Sequence, residues 1–137
     1  MSSGEVLFDE SHMWVRVEDE DTVVTGLSDY AQDMLGEVIF AELPEEGAAL
    51  VRGDACGTVE SVKSVEDLIS PISGEVVRVN EEVLDAPELI NQDPTGDGWL
   101  MEVKLEIPAE LEGLMSAADY ERHLDNLEGD LDDDEDF

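Results

Sequence analysis

Lysine is almost absent from this chain, so the place of one lysine is a chemical statement. Of 137 residues, 38 are Asp or Glu and only 6 are Lys or Arg. Lys63 stands in Val59-Glu60-Ser61-Val62-Lys63-Ser64, between two runs rich in β-branched residues, where a hairpin tip would present its amine to solvent. Arginine would supply the charge equally well, so an amine kept at such a tip, with Ser61, Val62 and Ser64 leaving it open, points to covalent chemistry on nitrogen. We read Lys63 as an attachment site for a prosthetic arm. The other lysine, Lys104, lies on the polar face of the alternating stretch Trp99 to Leu105 and reads as a solvated strand residue. Cys56, beside Gly57 in an apolar run, reads as a small buried residue and excludes an internal disulfide, which implies a reducing compartment. His123 reads as a surface or helix-end residue with His12 distant from it. No nucleophile and base pair, metal-ligand cluster or glycine-rich phosphate loop stands out, so the chain does not read as an enzyme.

A swinging arm needs a rigid base and short turns, and the surrounding pattern supplies both. From Val6 to Leu105 short strands are punctuated by glycine and proline, the spacing of a sandwich or barrel. The expected strands are Val6–Phe8, Trp14–Glu18, Thr22–Gly26, Val38–Leu43, Ala55–Ser61, Asp67–Ser70, Gly74–Val79 and Trp99–Leu105. In the last, Trp99, Met101, Val103 and Leu105 share one face and Leu100, Glu102, Lys104 and Glu106 the other. A short helix is expected after Ser28 as N-cap, with Asp29 at its positive end and Gly36 as its stop. After Pro108 the pattern turns helical. Ser116-Ala117-Ala118-Asp119 is a capping-box-like start, and Tyr120, Leu124 and Leu127 recur at helical spacing. Residues 1–127 form one expected domain. In 128–137, seven of ten residues are acidic, which predicts a solvated, disordered tail.

The formal net charge of −32 opposes compaction unless counterions screen it, and molar salt shortens the screening length to roughly 3 Å. A salt-loving source is expected, an intrinsically disordered acidic protein being opposed by the alternating apolar segments with Trp14 and Trp99. Nucleic acid and anionic membrane surfaces are poor partners for a chain without clustered Lys and Arg. No apolar run approaches the ~18 residues of a membrane span, and Met1 to Asp9 lacks the features of a signal peptide, so the expected location is cytoplasmic.

The same residues resemble a known family, the H protein of the glycine cleavage system. Gly57-Thr58-Val59-Glu60-Ser61-Val62-Lys63, then Asp67, then Ser70-Pro71-Ile72-Ser73-Gly74-Glu75-Val76, is similar to that family's lipoyl-lysine signature. Ser11-His12 with Trp14-Val15, Gly26-Leu27-Ser28-Asp29-Tyr30-Ala31-Gln32 with Leu35-Gly36-Glu37-Val38, Pro87-Glu88-Leu89-Ile90-Asn91 and Gly98-Trp99-Leu100 extend the resemblance over about residues 5 to 125. It implies a mainly β fold, a flattened β-barrel and sandwich hybrid of the lipoyl and biotinyl carrier type, with short helices including a C-terminal one. It also implies a halophilic archaeal variant of the family, given the acidity.

By this resemblance Lys63 carries lipoic acid in amide linkage, on a stem on the order of 14 Å when extended. The implied role is a carrier rather than a catalyst. It would take the aminomethyl group from a pyridoxal-phosphate glycine decarboxylase (P protein) to an aminomethyltransferase (T protein), and reducing equivalents to dihydrolipoyl dehydrogenase (L protein). A lipoate-attaching enzyme is a further implied partner, and a monomer the implied state. Ser11, His12, Glu60, Ser61, Val62, Ser64 and Asp67 are the residues expected around the arm, with Glu60, Glu66 and Asp67 steering docking. Two positions depart from the family. Met13 stands where glutamate is usual, which would remove a carboxylate from the cleft for the loaded arm, and Ser64 stands where alanine is usual. A biotin carrier would flank its lysine with methionines rather than Val62 and Ser64, and a lipoyl domain of a 2-oxo acid dehydrogenase would carry Pro/Ala linkers. A lipoyl relay serving those complexes and an unmodified acidic interaction module are the remaining alternatives.

Overall fold

The computed structural model describes the backbone of residues 5–135 and side chains as far as residue 127. Two antiparallel sheets make up the fold. The larger runs in the order β1 (Val6–Phe8), β2 (Met13–Val17), β3 (Thr22–Leu27), β9 (Met101–Leu105), β8 (Gly74–Val79) and β5 (Ala49–Leu50). The smaller is β4 (Val38–Glu42), β6 (Ala55–Ser61) and β7 (Val65–Ile69). Helices are α1 (Asp29–Leu35), α2 (Glu81–Asp85), α3 (Leu89–Gln92) and α4 (Ala117–Glu135), with a 3-10 turn over Pro108–Gly113. The sheets are open and face one core, the flattened sandwich-like arrangement expected. That core takes Val15, Val23 and Val103 from the larger sheet, Ala41, Val59 and Leu68 from the smaller, and Leu35, Val83 and Ile90 from the helices.

Local chemistry explains where the elements begin and end. Ser28 caps α1 by accepting from the Ala31 N–H, and Gly36 ends it at φ 79°, a left-handed conformation suited to glycine. Asn80 caps α2 and is otherwise buried, its amide donating to the Asp97 and Trp99 carbonyls. Ser116 accepts from the Asp119 N–H at the start of α4. At Gly57 a Cβ would stand 2.4 Å from the Glu42 carbonyl oxygen, so only glycine lets β4 lie this close to β6.

Several expectations need correction. The alternation read from Trp99 to Leu105 places Leu100 outside, yet Leu100 is fully buried and belongs to the core with Val83 and Ile90. Strand β9 is counted from Met101, although Leu100 already donates to the Thr25 carbonyl and accepts from the Asn80 N–H. Trp14 is wholly buried on the other face of β2, its indole N–H donating to the Pro94 carbonyl. β7 starts at Val65 rather than Asp67, and β5, α2 and α3 join the expected elements. Helix α4 spans Ala117–Glu135, and the last two residues of the 128–137 stretch lie outside the described ones.

Candidate functional site

The tip carrying Lys63 is a two-residue loop closed in an unusual way. Two-residue hairpins favour positive φ at the loop residues so that the turn matches strand twist, but neither Val62 nor Lys63 has positive φ. The Ser61 N–H donates to the Ser64 carbonyl at 2.8 Å, while the returning bond goes to a side chain. The Ser61 hydroxyl, 4% exposed, accepts from the Ser64 N–H at 3.1 Å and the Lys63 N–H at 3.3 Å. A serine hydroxyl thus stands in for a carbonyl whose direction the local twist would spoil. Beyond the turn, the Val62 N–H donates to the Glu37 carbonyl, tying the tip to the segment between α1 and β4.

That segment is held from below by Asn91 on α3. Its Oδ1 accepts from the Val38 N–H at 2.8 Å, and its Nδ2 donates to the Gly36 carbonyl at 2.8 Å and the Gln32 Oε1 at 2.9 Å. Lys63 is exposed, and its stem leans over the same segment: a Cβ on Gly36 would stand 3.6 Å from Lys63 Cε. The amine therefore projects from two tethered supports rather than from a free loop.

Beside it opens a cleft of about 350 Å³. One wall is α1 with its lead-in, Leu27, Tyr30, Ala31, Met34 and Leu35; the other is the β6–β7 hairpin, with Val59, Ser64, Glu66, Asp67 and Leu68. Ser11 and His12 close one end. Ser11, His12, Ser64, Glu66 and Asp67 thus line it together. Glu60, Ser61 and Val62 are not in the cleft: Ser61 is inside the turn, Val62 is at the tip, and Glu60 lies opposite Phe40 and Val65 on the small sheet. Met13 is not there either. It is fully buried among the core residues and is not among those that line the cleft.

The end wall is built by strain and packing. His12 adopts φ 70°, rare outside glycine, at the β1–β2 turn, fixed by its N–H to the Asp9 carbonyl and by the Ser28 N–H to its own carbonyl. Tyr120 of α4 sets its hydroxyl 2.8 Å from both His12 Nδ1 and Ser28 Oγ, and its ring stacks on Phe8 at 4.5 Å between centroids. Burial, then the charge of His123, lowers the His12 pKa, while Asp9 acts the other way. Burial chiefly raises that of Tyr120. The two histidines read as distant lie 6.4 Å apart between ring centroids. They line a second, larger cavity of about 560 Å³ on the far side of Ser11 and His12, with Asp9, Arg52 and Leu127. No group of three or more ligand-type side chains suited to a metal occurs among the described residues. Sequence reading missed the α1 wall, although apolar residues at 27, 31, 34 and 35 recur at helical spacing, and missed Asn91, whose role no local pattern announces.

The family model described as Glycine cleavage H-protein matches residues 6–127. The glycine cleavage system H protein of Marinobacter nauticus is 49% identical over 115 residues, 84% of this chain and 88% of that protein. That of Vibrio vulnificus is 49% identical over 123 residues, 90% and 95% of the two chains. The crystal structure of a glycine cleavage system H protein from Mycobacterium marinum matches with a TM-score of 0.78 at 35% identity, over 87% of this chain and 95% of that one.

Proposed function

We propose, because this chain belongs to the glycine cleavage H-protein family, that its Lys63 carries a lipoyl group in amide linkage. The chain is a carrier subunit of the glycine cleavage system and not itself a catalyst. When bound, the lipoyl group supplies a dithiolane whose sulfur–sulfur bond can be opened and re-formed. The observation that carries the assignment is the exposed Lys63 amine on a doubly tethered tip beside a cleft of mixed lining.

The residues present fit such a group. Leu27, Ala31, Met34, Leu35 and Leu68 offer an apolar trough for a methylene chain, and Ser11, Ser64, Glu66 and Asp67 offer acceptors at its edge. Glu66 and Asp67 are exposed, so they can meet a cationic group at the cleft without the cost of buried carboxylates. Ser61 and Asn91 orient the amine; Tyr120 and the His12 turn close the trough at its far end. Acylation of Lys63 removes one positive charge and deepens the net charge by one unit from −32.

The partners we propose are the P, T and L proteins of the system and a lipoate-attaching enzyme, met by a monomer in the cytoplasm of a salt-loving cell. Among the described residues no helix is long and apolar enough to cross a membrane. Residues 1–127 would act as one carrier domain. Intact mass of the protein from its native host tests the assignment. One lipoyl increment is expected, absent in Lys63→Arg; a bare polypeptide from cells growing on glycine would refute it.

A further inference from the structure

Resting on the reading of Lys63 as the arm-bearing residue, we propose that the outer face of the small sheet is the docking strip for the glycine decarboxylase. The partner surface it fits presents apolar side chains and at least one arginine. Phe40 pairs with Glu60, and Glu60 pairs with Val65, so the three cross-strand neighbours form one row on one face. Phe40 is 50% exposed and Val65 63%, and Val62, one residue before the lysine, is 64% exposed. Of the nine large apolar side chains exposed among the described residues, five (Met34, Ile39, Phe40, Val62 and Val65) lie on α1, the start of β4 and the hairpin tip. The hydrogen bond from the Val62 N–H to the Glu37 carbonyl brings these segments together. On a surface rich in carboxylates, an apolar collar rimmed by polar groups marks a contact face.

The chemistry of the row names the partner group. Glu60 sits between an aromatic and an aliphatic side chain, and among the described residues no cation is paired with it. A guanidinium meets all three at once: its plane stacks on Phe40, its N–H fork bonds the Glu60 carboxylate, and its weak hydration lowers the cost of contact with Val65. The long-range field of a chain at −32 draws the same cation in. In molar salt that field is screened beyond roughly 3 Å, which leaves the apolar part of the row to hold the complex.

The test uses full-length protein whose lipoylation is verified by intact mass, with its cognate glycine decarboxylase in glycine–bicarbonate exchange. Phe40→Ser and Val65→Ser are each expected to raise KM for the carrier about tenfold with kcat within about twofold, the loss of one hot-spot contact. Glu60→Gln raises KM at low salt and flattens its salt dependence, and Glu60→Lys does so more strongly. Val77→Ser, an exposed apolar residue on β8, leaves KM unchanged. Circular dichroism confirms that each variant is folded, and Phe40→Leu, which keeps an apolar side chain, gives an intermediate KM. A lipoylated Phe40→Ser and Val65→Ser pair with wild-type KM overturns the docking strip while leaving the carrier reading intact. An unmodified Lys63 overturns both.

Discussion

Removing the Ser61 hydroxyl isolates what holds the lysine in place. Ser61→Ala deletes the acceptor for the Lys63 and Ser64 N–H groups without touching the strands on either side. The two bonds are long, at 3.3 and 3.1 Å, and water can reach the exposed Lys63 N–H, so the full penalty of a buried orphan does not apply. A comparable hydroxyl cap contributes about 1 kcal/mol, and a second bond brings the expected loss to about 1–2 kcal/mol. For a domain of this size that is a fall in Tm of about 4–8 °C. Thermal unfolding at molar KCl measures it, with Ser64→Ala, which enters the turn through its backbone, as a control expected to move Tm by little. The same substitution loosens the tip, so the rate of lipoyl attachment at sub-saturating carrier should fall while its plateau by mass stays at one group. A Tm within about 1 °C of wild type together with an unchanged attachment rate would refute the view that a side-chain hydroxyl closes this hairpin.

Asn91→Leu removes three hydrogen bonds that reach Gln32, Gly36 and Val38, and should cost about 2–3 kcal/mol in denaturant unfolding while leaving the modification site chemically intact. Stability should rise with pH across the histidine range: the folded His12 pKa lies below its ordinary 6.5, so the unfolded chain takes the proton first. The contribution is full above about 6.5 and is lost as pH falls toward the folded value. His12→Asn, which tolerates the left-handed backbone, should flatten that slope in melts between pH 7.5 and 6. Burial pushes the Cys56 thiol up to about 11, so labelling by a disulfide reagent at pH 8 should run on the order of a hundredfold slower in the folded protein than after denaturation.

Strands were legible in the sequence where one face is buried and the other wet, as in β8 and β9, and α1 was legible from Ser28 and Gly36 because caps are local chemistry. The short elements α2, α3 and β5 were not, since too few residues carry a period and tertiary contacts such as those of Asn80 and Asn91 decide them. Leu100 was misplaced because it lies where both sides of the chain are covered, so alternation carries no information about which way its side chain points. The exposed place of Lys63 between β6 and β7 was readable from the turn between two β-branched runs. The meeting of His12 with His123 and Tyr120 was not, because it joins the first strands to the last helix.

The support beneath the lysine is completed from far along the chain, Asn91 closing on Val38 across 53 positions. A polypeptide emerging from the ribosome amino end first therefore displays Lys63 before its pedestal exists. A modifying enzyme that reads the finished relief rather than the letters beside the lysine would pass over nascent chains and misfolded copies alike.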